Sequence, residues 1–442
     1  MRATFLRVSC LVFSVVPVEQ LPDRSELSVQ MAMKNGRGIV WFNILILALS
    51  WLVLGCKPKE AAQAPDPLLL KYQALMPKAE AGDKGAQYQL ALLIPTVSQL
   101  TNKVELSFQW LKKAAEAGHP PAIFDLARRF ELGEGTQTNP GEAASYYRKG
   151  AELGDGACAT ALGILYTQGK GVTLDPVEAV KWFRKAGEAG FALGQFHLGM
   201  AFKTGQGLPQ DAVEALTWFR KAADQGSSQA QEEAGLALLN GIGTEPDVES
   251  AIPLLQKAAG AGLGRAQSAL GRLLEEGRGL AINYQEATKL YQQAAEQGIV
   301  EAQAGLGRAL VHGHGAQQDF KKAAHWLRKA AEKGDRDSQF RFGQLHASGQ
   351  GVETNLVEAT VWYEKAAARG HAEAQFALGA IFVSGQTSKN DHIEACKWLG
   401  IAERSGHTNA TELLKFVSAL LTEEQSAEVE KRIAAFYQKP NQ

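Results

Sequence analysis

The hydrophobic and polar positions of this chain recur with a fixed period of 36 residues. Ten glycines, from Gly82 to Gly406, follow one another at this spacing without an insertion, and each is numbered here as position 0 of a repeat. Small residues stand at position 4, mostly leucine at position 8, apolar residues at position 11, and often aromatic residues or leucine at position 12. Because these positions share one face of an α-helix, they predict a first helix of about three turns, helix A.

A second helix is predicted in each repeat by an acidic or amide residue at position 21. Eight repeats carry Asp or Asn there, from Asn139 to Asp391, which is typical of a helix N-cap. Glutamate follows at position 24 in six of them, and we expect it to close a capping box with the cap residue. Small and aromatic residues at positions 25, 28, 29, 32 and 33 form one stripe. This helix B is expected to end at the next position-0 glycine in a left-handed C-cap.

Further glycines inside the repeats predict the loop and a close contact. Gly-x-Gly pairs occupy positions 15 and 17 in seven repeats, where the first glycine is expected to stop helix A and the second to shape the loop. In the last pair Thr387 replaces the second glycine. Glycine also stands at position 9 within helix A in seven repeats, although it costs about 1 kcal/mol relative to alanine there. We therefore predict that another helix approaches position 9 too closely for a larger side chain.

One stretch shows the whole pattern without a departure. It runs from Ala161 to Gly190 as ALGILYTQGKGVTLDPVEAVKWFRKAGEAG. This segment resembles a Sel1-like repeat, a relative of the tetratricopeptide repeat with a longer Gly-x-Gly loop, and the resemblance extends from about Gly82 to Gly406. It implies an all-α fold, a right-handed α-solenoid of about ten helix-turn-helix repeats, and a scaffold or adaptor role in assembling membrane or secreted complexes.

The N-terminal region carries one long apolar run, from Ile39 to Gly55. Lys34 and Arg37 precede the run and Cys56 follows it, an order that describes a signal peptide better than a membrane-spanning helix. It resembles a bacterial lipoprotein signal, which implies lipidation of Cys56. A start at Met33 would give this signal an ordinary length, so we predict that residues 1–32 are not part of it. The alternative keeps the run as an uncleaved membrane anchor.

These observations divide the chain into six segments. We expect a non-structural or mis-assigned extension at 1–32, a lipoprotein signal peptide at 33–55 and a polar tether at 56–66. An N-terminal helix and a degenerate first repeat follow at 67–117, where Ile94 and Pro95 close helix A early. Eight repeats are expected at 118–405 and a C-terminal capping repeat at 406–442, in which Thr422 to Gln425 opens a last helix with a capping box.

Composition and charge exclude several kinds of chemistry. The net charge is −1, so no basic surplus favours nucleic acid as a partner. His312 and His314 lie in one loop, but two ligands without a third make a poor metal site, so we expect no metal and no cofactor. No serine has a lysine three residues later, so the Ser-x-x-Lys nucleophile of β-lactamases is missing. Cys158 and Cys396 lie too far apart to form a disulfide, and Cys158 is expected to be a buried free thiol.

Candidate partner-binding residues lie on helix A outside its core stripe. Aromatic residues and arginines are the usual anchors of protein interfaces, and stacked A helices normally line the concave side of a solenoid. Ordinary packing of the phenylalanines and solvation of the arginines are the alternatives. The candidates are Phe124, Arg128, Phe196, His197, Arg272, Arg308, Phe340, Arg341 and Phe376.

The sequence thus predicts a non-enzymatic scaffold that binds a protein or peptide on a concave face. We expect it to be held by an N-terminal lipid anchor on the membrane of the bacterial cell envelope, facing the periplasm, with the outer membrane as one destination. Two alternatives stay open. One is a β-lactamase-like hydrolase acting on cell-wall material, and the other is a single-pass membrane-anchored regulator.

Overall fold

The computed structural model describes residues 66–385 and 391–438. The chain divides into two units, Met1–Pro67 and Leu68–Gln442. The predictions for the signal peptide, for Cys56 and for nearly all of the tether lie outside the described residues, as does Thr387. None of the helices in the described ranges is long and apolar enough to cross a membrane.

The second unit is built from pairs of antiparallel helices, as the repeat pattern predicts. The A helices are mostly 13 residues long. They are α2 (Lys84–Leu93), α4 (Pro120–Leu132), α6 (Gly156–Gln168), α8 (Ala192–Thr204), α10 (Ser228–Asn240), α12 (Gly264–Glu276), α14 (Val300–His312), α16 (Arg336–Ser348), α18 (Ala372–Ser384) and α20 (Thr408–Ser418).

The B helices alternate with the A helices along the chain. They are α1 (Pro67–Glu80), α3 (Lys103–Glu116), α5 (Pro140–Glu152), α7 (Pro176–Glu188), α9 (Ala212–Asp224), α11 (Val248–Gly260), α13 (Tyr284–Glu296), α15 (Phe320–Glu332), α17 (Leu356–Ala368) and α19 (His392–Arg404). A final helix, α21 (Glu423–Gln438), packs on α19, and a short 3-10 helix at Ile94–Thr96 follows the shortened α2. The predicted all-α solenoid of helix-turn-helix repeats is confirmed.

The N-caps of the B helices are confirmed, but the capping box is wrong. The Asp175 carboxylate accepts a hydrogen bond from the backbone N–H of Glu178 at 3.0 Å, and the other caps bond in the same way. The cap's own N–H donates instead to the carbonyl of position 12, as in Asp175 to Tyr166 at 3.0 Å. With that donor already satisfied, four of the six position-24 glutamates accept bonds elsewhere; Glu358, for example, accepts the Trp362 indole N–H at 2.8 Å.

A true capping box does occur where α21 begins. The backbone N–H of Thr422 donates to the Gln425 side chain at 2.9 Å, and the N–H of Gln425 donates to the Thr422 hydroxyl at 3.2 Å. Unlike the caps of the B helices, the Thr422 N–H donates to no backbone carbonyl within the described residues, so both arms of the box form.

Positive φ angles confirm the predicted helix stops. Each helix B ends two residues before the position-0 glycine of the next repeat. That glycine is left-handed, as at Gly154 with φ +90°. The position-15 glycines end helix A in the same conformation, as at Gly169 with φ +65°. The position-17 glycine does more than shape the loop, because a Cβ on Gly171 would overlap the carbonyl of Pro140 at the start of α5. Most of these glycines therefore also let one repeat rest on the preceding one.

The close approach predicted at position 9 is confirmed. A Cβ on Gly163 would lie 2.5 Å from Cε1 of Phe183, and one on Gly307 would lie 2.6 Å from Cγ of Leu327. In each of the seven repeats the residue met is position 29 of helix B in the same repeat. Because real Cβ contacts are longer than this, glycine sets the distance between the two helices.

A buried glutamine at position 5 joins successive repeats, a feature that the sequence pattern had not revealed. The Gln195 amide donates to the carbonyl of Gly187 near the end of α7 at 3.1 Å. The same bond recurs in seven repeats, from Gln87, Gln195, Gln231, Gln267, Gln303, Gln339 and Gln375. Each of these carbonyls also accepts the N–H of the position-0 glycine, as Gly187 does from Gly190 at 3.0 Å, so the glutamine adds a second bond from the next repeat.

The stack is tighter on its A-helix side. Neighbouring A helices contact each other at several steps, including α6 with α8 and α12 with α14. Successive B helices up to α19 approach one another less closely. The A helices of successive repeats are therefore the more closely packed layer of the stack.

Candidate partner-binding surface

The candidate residues lie on the A helices, and most of them serve packing as well as surface. The position-6 phenylalanines contact position 29 of their own repeat, where aromatic rings stand in three of four cases. The ring-centroid distances are 5.6 Å from Phe124 to Tyr147, 5.9 Å from Phe196 to Phe219 and 5.5 Å from Phe340 to Tyr363. These half-buried rings pack helix A against helix B and remain partly exposed.

Histidines extend this packing into the next repeat. The Phe376 ring stacks on His407 at 4.2 Å, and the Phe340 ring lies 4.5 Å from His371. His197 stacks on Phe183 of the preceding repeat at 4.9 Å, and burial lowers the pKa of His197. The structure thus assigns a clear packing role to the aromatic candidates.

The arginine candidates behave differently, because three of them gather on α12, α14 and α16. Arg308 donates to Glu275 at 3.1 Å, and the Tyr291 hydroxyl donates to the same carboxylate at 2.6 Å. Burial is the main cause that raises the pKa of Tyr291, and the hydrogen bond to Glu275 raises it further. The positive charges of Arg308 and Arg272 act in the opposite direction. Arg272 is exposed and has no hydrogen bond or ion pair within the described residues. The charges of Arg308 and Arg272 thus both act on Tyr291, and the charge of Arg308 also acts on Arg341.

Arg341 is the most unusual of the three. It is half-buried, and it has neither a hydrogen bond nor an ion pair to any described residue. Burial lowers the pKa of its guanidinium, and the nearby charge of Arg308 adds to the shift. Arg341 lines a cleft of about 470 Å³. The other lining residues are Val311, Gln344, Leu345, Ala347, Ser348, Gln350 and Tyr363.

Arg128 is separate from this group. It lies exposed on α4 and makes no hydrogen bond or ion pair within the described part of the chain. Position 10 of helix A holds arginine in three repeats, at Arg128, Arg272 and Arg308, but the first lies four repeats before the second. The structure therefore brings together Arg272, Arg308 and Arg341 and leaves Arg128 apart.

A second ionic group on the A helices was missed by the sequence reasoning. Glu233 accepts hydrogen bonds from Lys203 at 2.5 Å and from Arg265 at 2.8 Å, so it links α8, α10 and α12. Burial alone would raise the pKa of Glu233, but these two cations outweigh it and leave the pKa below its ordinary value. The available signal was the pair of consecutive carboxylates Glu232 and Glu233 on helix A, which occurs in no other repeat at positions 6 and 7.

Metal-binding and thiol chemistry find little support in the described residues. No group of three or more His, Cys, Asp or Glu side chains within them could hold a metal ion. His314 stacks on Tyr284 at 4.7 Å, and its ring lies 5.4 Å from that of His312. Cys158 and Cys396 are buried free thiols, as was predicted for Cys158, and burial raises the pKa of Cys396 to about 11.

Two solved structures similar to this chain are repeat proteins of the same kind. A protective antigen of uropathogenic Escherichia coli strains that displays an SLR fold is 27% identical, with a TM-score of 0.51, over 84% of this chain and 95% of the antigen. A Sel1 repeat protein from Oxalobacter formigenes is 28% identical, with a TM-score of 0.48, over 75% of this chain and 99% of that one. No curated protein matches the sequence.

The family model for the Sel1 repeat matches nine consecutive segments without a gap. They are residues 85–119, 120–155, 156–191, 192–227, 228–263, 264–299, 300–335, 336–371 and 372–407. Each segment holds one A helix and the following B helix, from α2 and α3 to α18 and α19. The first segment begins one residue inside α2. The chain belongs to the Sel1 repeat family.

Proposed function

We propose that this protein is a non-enzymatic scaffold that binds a protein or peptide on the concave side formed by its A helices, and that a lipid on Cys56 holds it in the bacterial cell envelope. Sel1 repeat proteins are in general scaffolds for protein–protein interaction. The observation that carries the proposal is the contrast between positions on helix A. Positions 4, 5, 8 and 9 repeat the same packing, whereas positions 6, 7 and 10 change from repeat to repeat.

This contrast has a physical meaning for binding. Contacts within and between repeats hold the A helices in fixed places, so the variable side chains form a surface that is already ordered. A partner that binds an ordered surface loses less conformational entropy than one that must order it. The exposed or half-buried arginines of that surface are side chains often found at the centres of interfaces.

The binding surface can be tested by site-specific photocrosslinking in cells. A photoreactive benzoylphenylalanine would replace Arg272 on α12, with the exposed Arg328 on helix B α15 as the matched control. We expect a defined crosslinked protein from the Arg272 position alone, and reconstitution from purified components should reproduce it. Equal crosslinking from both positions, or none from either, would contradict the proposed surface.

The lipid anchor is tested in the same cells by incorporation of radiolabelled palmitate. The wild-type protein should take up the label, and Cys56→Ala should lose it, while Cys158→Ala should keep it because that thiol is buried in α6. An unlabelled wild-type protein would favour an uncleaved membrane anchor, and label that persists in Cys56→Ala would place the lipid on another residue; either result would remove the lipoprotein part of the proposal.

A further inference from the structure

The cleft beside Arg341 lies where other repeats place a carboxylate. Tyrosine occupies position 29 in three repeats, at Tyr147, Tyr291 and Tyr363. In the first two, the tyrosine hydroxyl donates to a glutamate at position 13 of the same repeat, Glu131 at 3.1 Å and Glu275 at 2.6 Å. In the third repeat, position 13 is Ala347.

Replacement of this glutamate by alanine leaves two donors without an acceptor. The Tyr363 hydroxyl and the Arg341 guanidinium have no hydrogen-bond partner among the described residues, although Tyr363 is only 5% exposed. Both line the 470 Å³ cleft together with Ala347. Both donors face a cleft from which an acceptor can enter, so an acceptor supplied from outside would gain two hydrogen bonds, one of them to a cation.

The surrounding charges favour an anionic acceptor. The carboxylate of Glu275 already accepts hydrogen bonds from Arg308 and Tyr291, so it is not free to bond Arg341 or Arg272. Two other carboxylates act on Arg341 from its own helix, but both have partners. Asp335 caps α16 through the Ser338 N–H, and Asp337 lies 3.6 Å from both Arg336 and His371.

We propose that this cleft binds a glutamate or aspartate side chain from an acidic segment of the partner protein, in the place that Glu131 and Glu275 fill in their own repeats. Arg341 and the Tyr363 hydroxyl donate to the bound carboxylate. Arg308 and Arg272 attract the neighbouring acidic residues of the segment. The inference rests on the proposed scaffold function and names the chemistry of its partner.

A protein segment fits these observations better than a nucleic acid. Binding of nucleic acid depends on many phosphate contacts along a basic surface, whereas the chain has a net charge of −1 and this patch has only three arginines. Apolar residues Val311 and Leu345 also line the cleft, and they suit the methylene groups of an acidic side chain.

The test measures binding of fluorescein-labelled octaglutamate to the full-length protein in detergent micelles by fluorescence anisotropy. Octaglutamine and a labelled oligothymidylate are the comparison probes. We expect octaglutamate to bind at least tenfold more tightly than octaglutamine and to weaken as salt is raised. Tighter binding of the oligothymidylate, or equal binding of both peptides, would overturn the proposal.

Variants locate the binding in the cleft. Arg341→Gln should weaken octaglutamate binding about tenfold, the loss expected for one charged hydrogen bond, whereas Arg220→Gln on α9 should leave it unchanged. Arg272→Gln, at an exposed side chain, should weaken it by a smaller factor without a risk to folding. Equal affinities in Arg341→Gln, Arg272→Gln and Arg220→Gln would overturn the proposal.

The most specific test of the carboxylate site is a variant that restores the glutamate at position 13. Ala347→Glu would supply the chain's own acceptor for Arg341 and Tyr363, so it should weaken octaglutamate binding about tenfold and raise the thermal midpoint. Ala347→Gln has nearly the same volume without the charge and should weaken binding less. Equal losses in the two variants would show simple steric blocking and contradict a carboxylate site.

The scaffold and the carboxylate site can fail separately. A partner crosslinked at Arg272, combined with octaglutamate binding that ignores Arg341 and Ala347, would remove the carboxylate site and leave the scaffold standing. Failure of the crosslinking at Arg272 would remove the scaffold surface itself.

Discussion

Position 9 of helix A shows how one residue type fixes a distance in this protein. The recurrence of glycine at an unfavourable helical position was enough to predict a close contact, and the structure identifies the contacting residue as position 29 of helix B. The identity of that neighbour could not be predicted, because the period places residues on a helix face without saying which face meets which. The same limit applies to the cleft at Arg341. The sequence alone does not show that Arg341, Ala347 and Tyr363 line one cleft.

Replacement of one such glycine should therefore destabilise the fold. Gly271→Leu would force a side chain against Tyr291, whose Cε1 lies 3.0 Å from the site of a Cβ, and we expect a loss of about 1–3 kcal/mol in the free energy of unfolding. Gly260→Leu is the matched control, since this glycine also lies in a helix but has no atom within 4 Å of its Cβ site.

The measurement is chemical unfolding followed by far-ultraviolet circular dichroism. An unchanged unfolding free energy in Gly271→Leu, or an equal loss in Gly260→Leu, would refute the view that the helix spacing depends on position 9.

At the scale of the helix, local signals were predicted well and links across the loop were not. Asp or Asn caps and left-handed glycines act within a few residues, so their spacing alone identifies them. The capping-box prediction was wrong because the cap N–H bonds to a carbonyl nine residues earlier, such as Asn139 to Phe130 at 2.7 Å. The position-5 glutamines were visible in the sequence, but their carbonyl partners belong to the preceding repeat.

Two of these glutamines differ in a way that can be measured. Gln195 donates to Gly187 and accepts from Gln225 at 2.7 Å, whereas the Oε1 atom of Gln375 is buried without a partner. Gln195→Leu should therefore cost about 1–2 kcal/mol of unfolding free energy, because it removes two hydrogen bonds. Gln375→Leu should cost less, since it also removes an unsatisfied buried oxygen.

Thermal and chemical unfolding of the two leucine variants would be compared under one buffer condition. A larger loss in Gln375→Leu than in Gln195→Leu would contradict the role assigned to the glutamines in joining repeats.

At the scale of the whole array, stability is distributed over equivalent interfaces. Each repeat contacts its two neighbours through the same positions, among them the position-5 glutamine and the position-17 glycine. The repeat number and fold class could be predicted from the period alone, because these contacts recur with it. The binding surface could be predicted only as a face, since its chemistry depends on the few positions that depart from the period.

Removal of one whole repeat should consequently leave a folded array. Deletion of residues 192–227 keeps every remaining position in phase, so we expect the helical circular dichroism per residue to be retained with a modest fall in thermal midpoint. Deletion of residues 192–209 removes half a repeat and should abolish cooperative unfolding, because α9 would then lack its helix A. Equal behaviour of the two deletions would contradict nearest-neighbour stacking.

The position-17 glycines also fix the distance between neighbouring repeats. Because a glycine such as Gly243 lets its loop touch the backbone at the start of the preceding helix B, here at Ala212, the step between neighbouring repeats cannot drift. Two side chains at the same position of different repeats are therefore separated by whole steps of roughly one helix diameter each. A partner with two contact points must match an integral number of these steps, so a gain or loss of one repeat would change which partners fit without changing a single contacting residue.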